Sequence, residues 1–140
     1  MRGLNTISYL LVAISLAGCS NDSTDGGDIN QPGGRTLAAN AISIVLGAQE
    51  KRTAAFNPNP LTISLASTTG GTVQWFNDDH TTSSYGSNAV THNITADDGS
   101  FTSGELVAGA SYSATFDTPG TYGYHCSIHP TMKGTVTVTP

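Results

Sequence analysis

Residues 120–140 read G-T-Y-G-Y-H-C-S-I-H-P-T-M-K-G-T-V-T-V-T-P. Within them Cys126, His129 and Met132 stand three residues apart, and each is a soft or borderline metal ligand. Thr121 to Cys126 carries the threonine and tyrosines of a strand, and Thr135 to Thr139 alternates Thr and Val as a half-buried strand does. The three side chains therefore fall at the end of one strand and in the loop before the next. Gly134 is read as letting that loop turn, and Pro130 as stiffening it. A thiolate, an imidazole and a thioether on one short loop do not close a site. One further imidazole would complete two His and one Cys in a trigonal plane with a weak axial Met. His92 is the natural candidate, because it opens the strand-like run T-H-N-I-T-A at 91–96.

Such a donor set suits copper. Two nitrogens, a thiolate and a distant thioether are a compromise between the preferences of Cu(I) and Cu(II), which is the arrangement of blue-copper electron-transfer sites. The metal requires the thiolate of Cys126 and itself drives that deprotonation. The chain holds four His. His125 is excluded by the pleat, since neighbours on a strand point to opposite faces and Cys126 takes the metal-facing side. His80 remains a rival to His92, because it follows directly on the N-D-D segment at 77–79.

These motifs resemble the cupredoxins, the small blue copper proteins, and among them the plastocyanin, amicyanin and halocyanin branch. The resemblance is carried by N-D-D at 77–79, H-N-I-T-A-D-D-G-S-F-T-S-G at 92–104, F-D-T-P-G-T-Y-G-Y-H-C-S-I-H-P-T-M-K-G at 116–134 and the closing T-V-T-V. The Cys-x-x-His-x-x-Met spacing is the shorter one, as in amicyanins. The likeness covers residues 40–140, one ordinary domain length. It decides between the two histidines: the residues after His92 continue as the family does after its ligand, whereas T-T-S-S-Y-G after His80 does not. It implies a metal set of His92, Cys126, His129 and Met132. It also implies that the Asn93 backbone N–H donates to the Cys126 sulfur, and that His129 reaches the surface and passes the electron to a protein partner through an apolar patch with Ile128 and Pro130.

Residues 1–18 read as a targeting segment. Arg2 gives a positive start, and Ile7 to Ala17 is mostly apolar but too short to span a bilayer. L-A-G-C at 16–19 resembles the bacterial lipoprotein signal box, which implies cleavage before Cys19 and lipid on its sulfur. A plain secretory signal or an uncleaved anchor is the alternative, and either still exports the protein. Residues 19–39 are the lipidated Cys and a linker with almost nothing apolar to bury. As a flexible tether of roughly twenty residues it would span about 25 Å.

Within 40–140, strands are expected at Ala41 to Leu46, Leu61 to Ala66, Thr72 to Asn77, Thr91 to Ala96 and Ser111 to Phe116, besides the two flanking the ligand loop. Gly47 to Asn59 is expected to be irregular, with no helical period anywhere in the domain. Asn77 to Val90 is expected to be a polar loop at the copper end, longer than the family's, with Tyr85 near its middle and Asp78 and Asp79 at its start. Seven or eight short strands argue for an all-β, two-sheet Greek-key sandwich of cupredoxin type.

Only 11% of the residues are charged and the formal net charge is −5. No basic patch exists, which argues against nucleic acid as a partner, while the acidity with Asp78 and Asp79 suggests a basic redox partner. The reading is a lipid-anchored, monomeric one-electron carrier outside the cytoplasmic membrane, on its periplasmic or extracellular face, with one copper ion and no small-molecule substrate. Copper storage, delivery or resistance is the alternative, disfavoured because the chain has two Met and no Met-rich tract. A copper enzyme would need an open coordination position or a second His cluster, and neither a triad nor a phosphate loop is present.

Overall fold

The computed structural model describes residues 36–83 and 86–140. The signal-like segment, Cys19 and the linker up to residue 35 lie outside the described residues, as does Tyr85.

Ten strands are found among the described residues: β1 (Ala41–Ile44), β2 (Phe56–Asn57), β3 (Leu61–Ser64), β4 (Thr72–Asn77), β5 (His80–Ser83), β6 (Gly86–Ala89), β7 (Thr95–Ala96), β8 (Ser111–Thr115), β9 (Gly120–His125) and β10 (Lys133–Thr139). They form two four-stranded sheets, in the orders β2-β1-β4-β8 and β3-β10-β9-β7, and a separate β5-β6 hairpin. The expected all-β, two-sheet sandwich is what is found. Two pairings are parallel, β1 with β4 and β10 with β3, and the rest of the two large sheets is antiparallel.

Alternation builds the core. On β4, Val73, Trp75 and Asn77 are buried while Thr72, Gln74 and Phe76 are half-buried, and on β10 Gly134, Val136 and Val138 point inward. Between the sheets these residues meet Ile42 and Ile44 of β1, Leu61 and Ile63 of β3, and Tyr124 of β9. Aromatic rings tie the layers together. Tyr124 stands edge-on to Trp75 of the opposite sheet, with centroids 5.4 Å apart, and edge-on to Phe56 at 4.9 Å. Cys126 and Met132 belong to the same buried cluster, so the ligand loop is rooted in the core.

Five expectations need correction. The irregular stretch after β1 contains a helical turn, α1 (Ala48–Lys51), followed by a 3-10 turn over Arg52–Ala55. Its start is capped from far along the chain: the Asp79 carboxylate accepts from the N–H groups of Gly47 and Ala48. A cap supplied from thirty residues away leaves no local signature. The supposed polar loop after Asn77 is the β5-β6 hairpin, with His80 opposite Ala89 and Ser83 opposite Gly86. Its T-T-S and G-S-N-A segments show no apolar alternation, so hydrophobic periodicity misses it. Its opening acids are also not surface charges: Asp78 is 7% exposed and Asp79 2%. These two residues are therefore not the exposed acids that the expected docking of a basic partner supposes.

The strand expected over 91–96 shrinks to β7, and His92 instead makes an isolated bridge with Leu106, giving N–H to the Leu106 carbonyl at 3.0 Å and accepting from its N–H at 2.8 Å. Gly134 also has a different role from turning a loop. It lies inside β10 directly opposite Tyr124, and a Cβ there would run into the Tyr124 ring. The ring lies across the glycine, filling the space that a side chain would take. Gly134→Ala should therefore destabilise the domain by about 1–3 kcal/mol, as overpacking does. Chemical denaturation of the two proteins measures it, and an unchanged midpoint would show that Tyr124 has room to move.

Candidate metal centre

The site is assembled from two chain segments. His92 is fixed by its two-way bridge with Leu106, and its ring is wholly buried. Cys126 immediately follows β9. The loop from Cys126 to Met132 closes on itself: the Cys126 N–H donates to the Met132 carbonyl at 3.1 Å, and the Met132 N–H to the His129 carbonyl at 2.9 Å. Asn93 clasps the two segments. Its side-chain oxygen accepts from the Ser127 N–H at 2.7 Å, its amide nitrogen donates to the Ser127 hydroxyl at 2.6 Å, and its backbone N–H points at the Cys126 sulfur at 3.4 Å.

The consequence is a triangle of donors. The Cys126 Sγ lies 3.8 Å from His92 Nδ1 and 3.7 Å from His129 Nδ1, and the two nitrogens are 3.1 Å apart. Among the described residues these three form the group of His, Cys and acidic side chains able to hold a metal ion. First-row ions bind imidazole nitrogen at about 2.0–2.1 Å and thiolate at about 2.3 Å, so donors spread trigonally around one ion stand about 3.5–3.8 Å apart. The nitrogen–sulfur separations match that spacing, and the shorter nitrogen–nitrogen gap corresponds to a narrower angle between the imidazoles. The donor chemistry and the spacing thus fit one small, thiophilic ion.

Electrostatics favour the same species. Burial pushes the Cys126 thiol up, but hydrogen bonds from His92, the Asn93 amide, and the amide and ring of His129 outweigh it, and the pKa falls from 9.0 to about 6. His92 is influenced most by burial, which lowers its pKa. Hydrogen bonds and charge from Cys126 and Asp79 together hold it above the ordinary 6.5. The far nitrogen of His92, Nε2, lies 2.8 Å from Asp79 Oδ2. A carboxylate only accepts, so Nε2 keeps its hydrogen; with Nδ1 also protonated the ring donates to the sulfur, and once that proton leaves, the Nδ1 lone pair is free for a metal.

The remaining site expectations fall as follows. Met132 is fully buried in the cluster that holds Cys126. His125 lies on the opposite side of β9 from Cys126, with its Nδ1 2.6 Å from Asp97 Oδ1. His80 starts the hairpin and stays outside the group, its N–H bonded to the Asp78 carbonyl at 2.8 Å. Cys19 lies outside the described residues. Sequence reading missed the Asn93 side-chain clasp and the contact from Asp79. The N-D-D run is the signal for the second, although nothing in the sequence distinguishes its acids from surface ones.

Residues 42–139 match the family described as copper binding proteins, plastocyanin/azurin family. The chain belongs to that family. This cupredoxin is 36% identical over 110 residues to a plastocyanin of Scenedesmus fuscus, an overlap of 69% of the present chain and 98% of that plastocyanin. Among solved structures it is similar to a novel purple cupredoxin from Nitrosopumilus maritimus, with 32% identity, a TM-score of 0.56, and 71% and 98% of the two chains covered. It is also similar to a Cu-containing nitrite reductase from Thermus scotoductus SA-01, at 25% identity and a TM-score of 0.53. That likeness covers 76% of this chain but 23% of the reductase, one domain's worth of a larger enzyme. Copper is thus the cofactor that the family and the donor chemistry have in common.

The depressed thiol pKa has a direct readout. In the metal-free protein the Cys126 thiolate should persist as pH falls from 9 and reprotonate with a midpoint near 6. Ultraviolet thiolate absorbance, with Cys126→Ser as the blank, follows this. A midpoint in the ordinary range near 8.5 would mean that the surrounding donors do not hold the charged form.

Proposed function

We propose that this cupredoxin is a one-electron carrier that works outside the cytoplasmic membrane, held to a membrane by lipid on Cys19, with its copper bound by His92, Cys126, His129 and Met132. One observation carries the reading: a sulfur and two imidazole nitrogens already converge within 4.8 Å in a site closed by backbone hydrogen bonds. Bound copper supplies the redox couple, and the task of the chain is to keep the donors in one arrangement for both oxidation states. The Cys126–Met132 and Met132–His129 hydrogen bonds brace the loop, and the Asn93–Ser127 clasp fixes it to His92. The Asn93 N–H stabilises negative charge on the sulfur.

Exposure supports one route for the electron. His92, Cys126 and Met132 are fully buried, while His129 is half-buried at the protein edge. Ile128, 45% exposed, and exposed Pro130 flank it. Electrons therefore enter and leave through the His129 ring, and the apolar rim around it docks a protein redox partner without requiring desolvation of charge. The chain is read as a signal segment at 1–18, a lipidated linker at 19–39 and a copper-binding head at 40–140. Among the described residues no helix is long and apolar enough to cross a membrane.

The ligand assignment is tested by spectroscopy of the copper-loaded protein. Cys126→Ser should fold and lose the intense visible band that depends on copper–thiolate bonding. His92→Ala should destroy that spectrum, whereas His80→Ala should leave it nearly intact. A blue Cys126→Ser protein, or the reverse order of the two histidines, would overturn the assignment.

The anchor is tested separately. Cys19→Ser should release the protein into the aqueous phase on detergent partitioning and leave the copper spectrum of the head unchanged. Unaltered partitioning would rule out lipid on Cys19.

A further inference from the structure

The N-D-D run at 77–79 has no place in the ligand set, yet all three residues are buried. Each is committed to a different part of the fold. The Asn77 amide donates to the carbonyls of Val90 and Leu106, both at 2.8 Å, and its side-chain oxygen accepts from the Asp79 N–H at 3.0 Å. Asp78 accepts from the Ser43 hydroxyl of β1 at 2.7 Å. Asp79 is where three N–H donors converge. Its Oδ1 accepts from Gly47 at 2.6 Å, and its Oδ2 accepts from Ala48 at 3.2 Å and from His92 Nε2 at 2.8 Å.

We propose that Asp79 is the positioning residue of the copper site: it locks the His92 ring with Nδ1 toward Cys126, and its buried charge makes that imidazole a stronger donor to the oxidised metal. This rests on the reading that His92 is a copper ligand. A neutral acceptor behind Nε2 would select the same tautomer. A carboxylate adds a negative charge next to the ring, in surroundings where charge is poorly screened. The two backbone donors at the start of α1 hold the carboxylate in place, so the ring is braced against the helical turn as well as against Leu106. The same residue closes the base of the hairpin, because the Val90 N–H donates to the Asp79 carbonyl at 3.1 Å. The hairpin strands thus leave and rejoin the frame next to the residue that meets His92.

The test is a comparison of reduction potentials in copper-loaded protein. Asp79→Asn keeps the size of the side chain but removes the charge and offers one acceptor oxygen to three donors. The preference for Cu(I) over Cu(II) should rise about tenfold, the lower end of what outer partners of metal ligands contribute. For one electron that is a potential about 59 mV higher by voltammetry. Asp78→Asn removes the same charge from the neighbouring residue and should shift the potential by much less. An unchanged potential in Asp79→Asn, or equal shifts in both variants, overturns the proposal. Should Asp79→Asn fail to fold, the reduced wild-type protein still decides the matter by NMR. The His92 Nε2 proton should be present, shifted downfield and slow to exchange with solvent, and rapid exchange would refute the contact. Loss of the functional reading is distinguished from loss of this one by the wild-type spectrum. A wild-type protein with no copper–thiolate band overturns both, whereas a blue wild-type protein with an indifferent Asp79 overturns only the proposal.

Discussion

Burying a thiolate costs free energy unless donors surround it, and that constraint shapes the whole copper end of this protein. Cys126 has no exposed surface, yet its sulfur is held toward the charged form by two imidazoles and by backbone N–H groups. Each donor arrives from a different place. The Asn93 amide and His92 come from the segment bridged to Leu106, and His129 comes from the loop that Cys126 itself begins. Removing the scaffold from under any of them would leave an unbalanced charge in the core. The surrounding hydrogen bonds are therefore as much a condition of the site as the donors are.

The sandwich meets that condition by making the loop short and its foundations stiff. β9 and β10 are paired from Gly120–Val138 up to His125–Lys133, so the seven residues from Cys126 to Met132 span a closed end of a hairpin. Beneath it, Tyr124 packs between Trp75 and Phe56 and over Gly134, which ties the last paired residues to both sheets. The loop can then be closed by two internal backbone bonds and the Asn93 clasp. Donors so braced are held in one arrangement, the condition for rapid electron transfer at a copper site. His129, half-buried, is the member of the donor triangle nearest the surface.

The polar segments show the other side of the design. The β5-β6 hairpin is an addition to the sandwich rather than a layer of it, pairing with neither large sheet. It is joined to the frame at Asp79 and Asn77, whose side chains and main chain also serve the helical turn, Leu106 and His92. Insertion and metal site are thus attached to the same short run of buried polar residues.

The sequence by itself determined the sandwich class and the local shape of the ligand loop. Alternation in T-V-Q-W-F-N and T-V-T-V-T marks strands because one face of each is buried, and Cys126, His129 and Met132 share a loop because only a few bonds separate them. Tertiary structure decided what depends on residues far apart in the chain. Asp79 caps a helical turn some thirty residues before it and meets His92 thirteen residues after it, which turns apparent surface acids into buried ones. Gly134 is a glycine because of the ring of Tyr124 across the strand pair, not because of a turn. Hydrophobic periodicity records which face of an element is buried. It carries no record of a polar side chain whose partners are brought to it by folding, and that is why the frame around the sulfur became visible only in three dimensions.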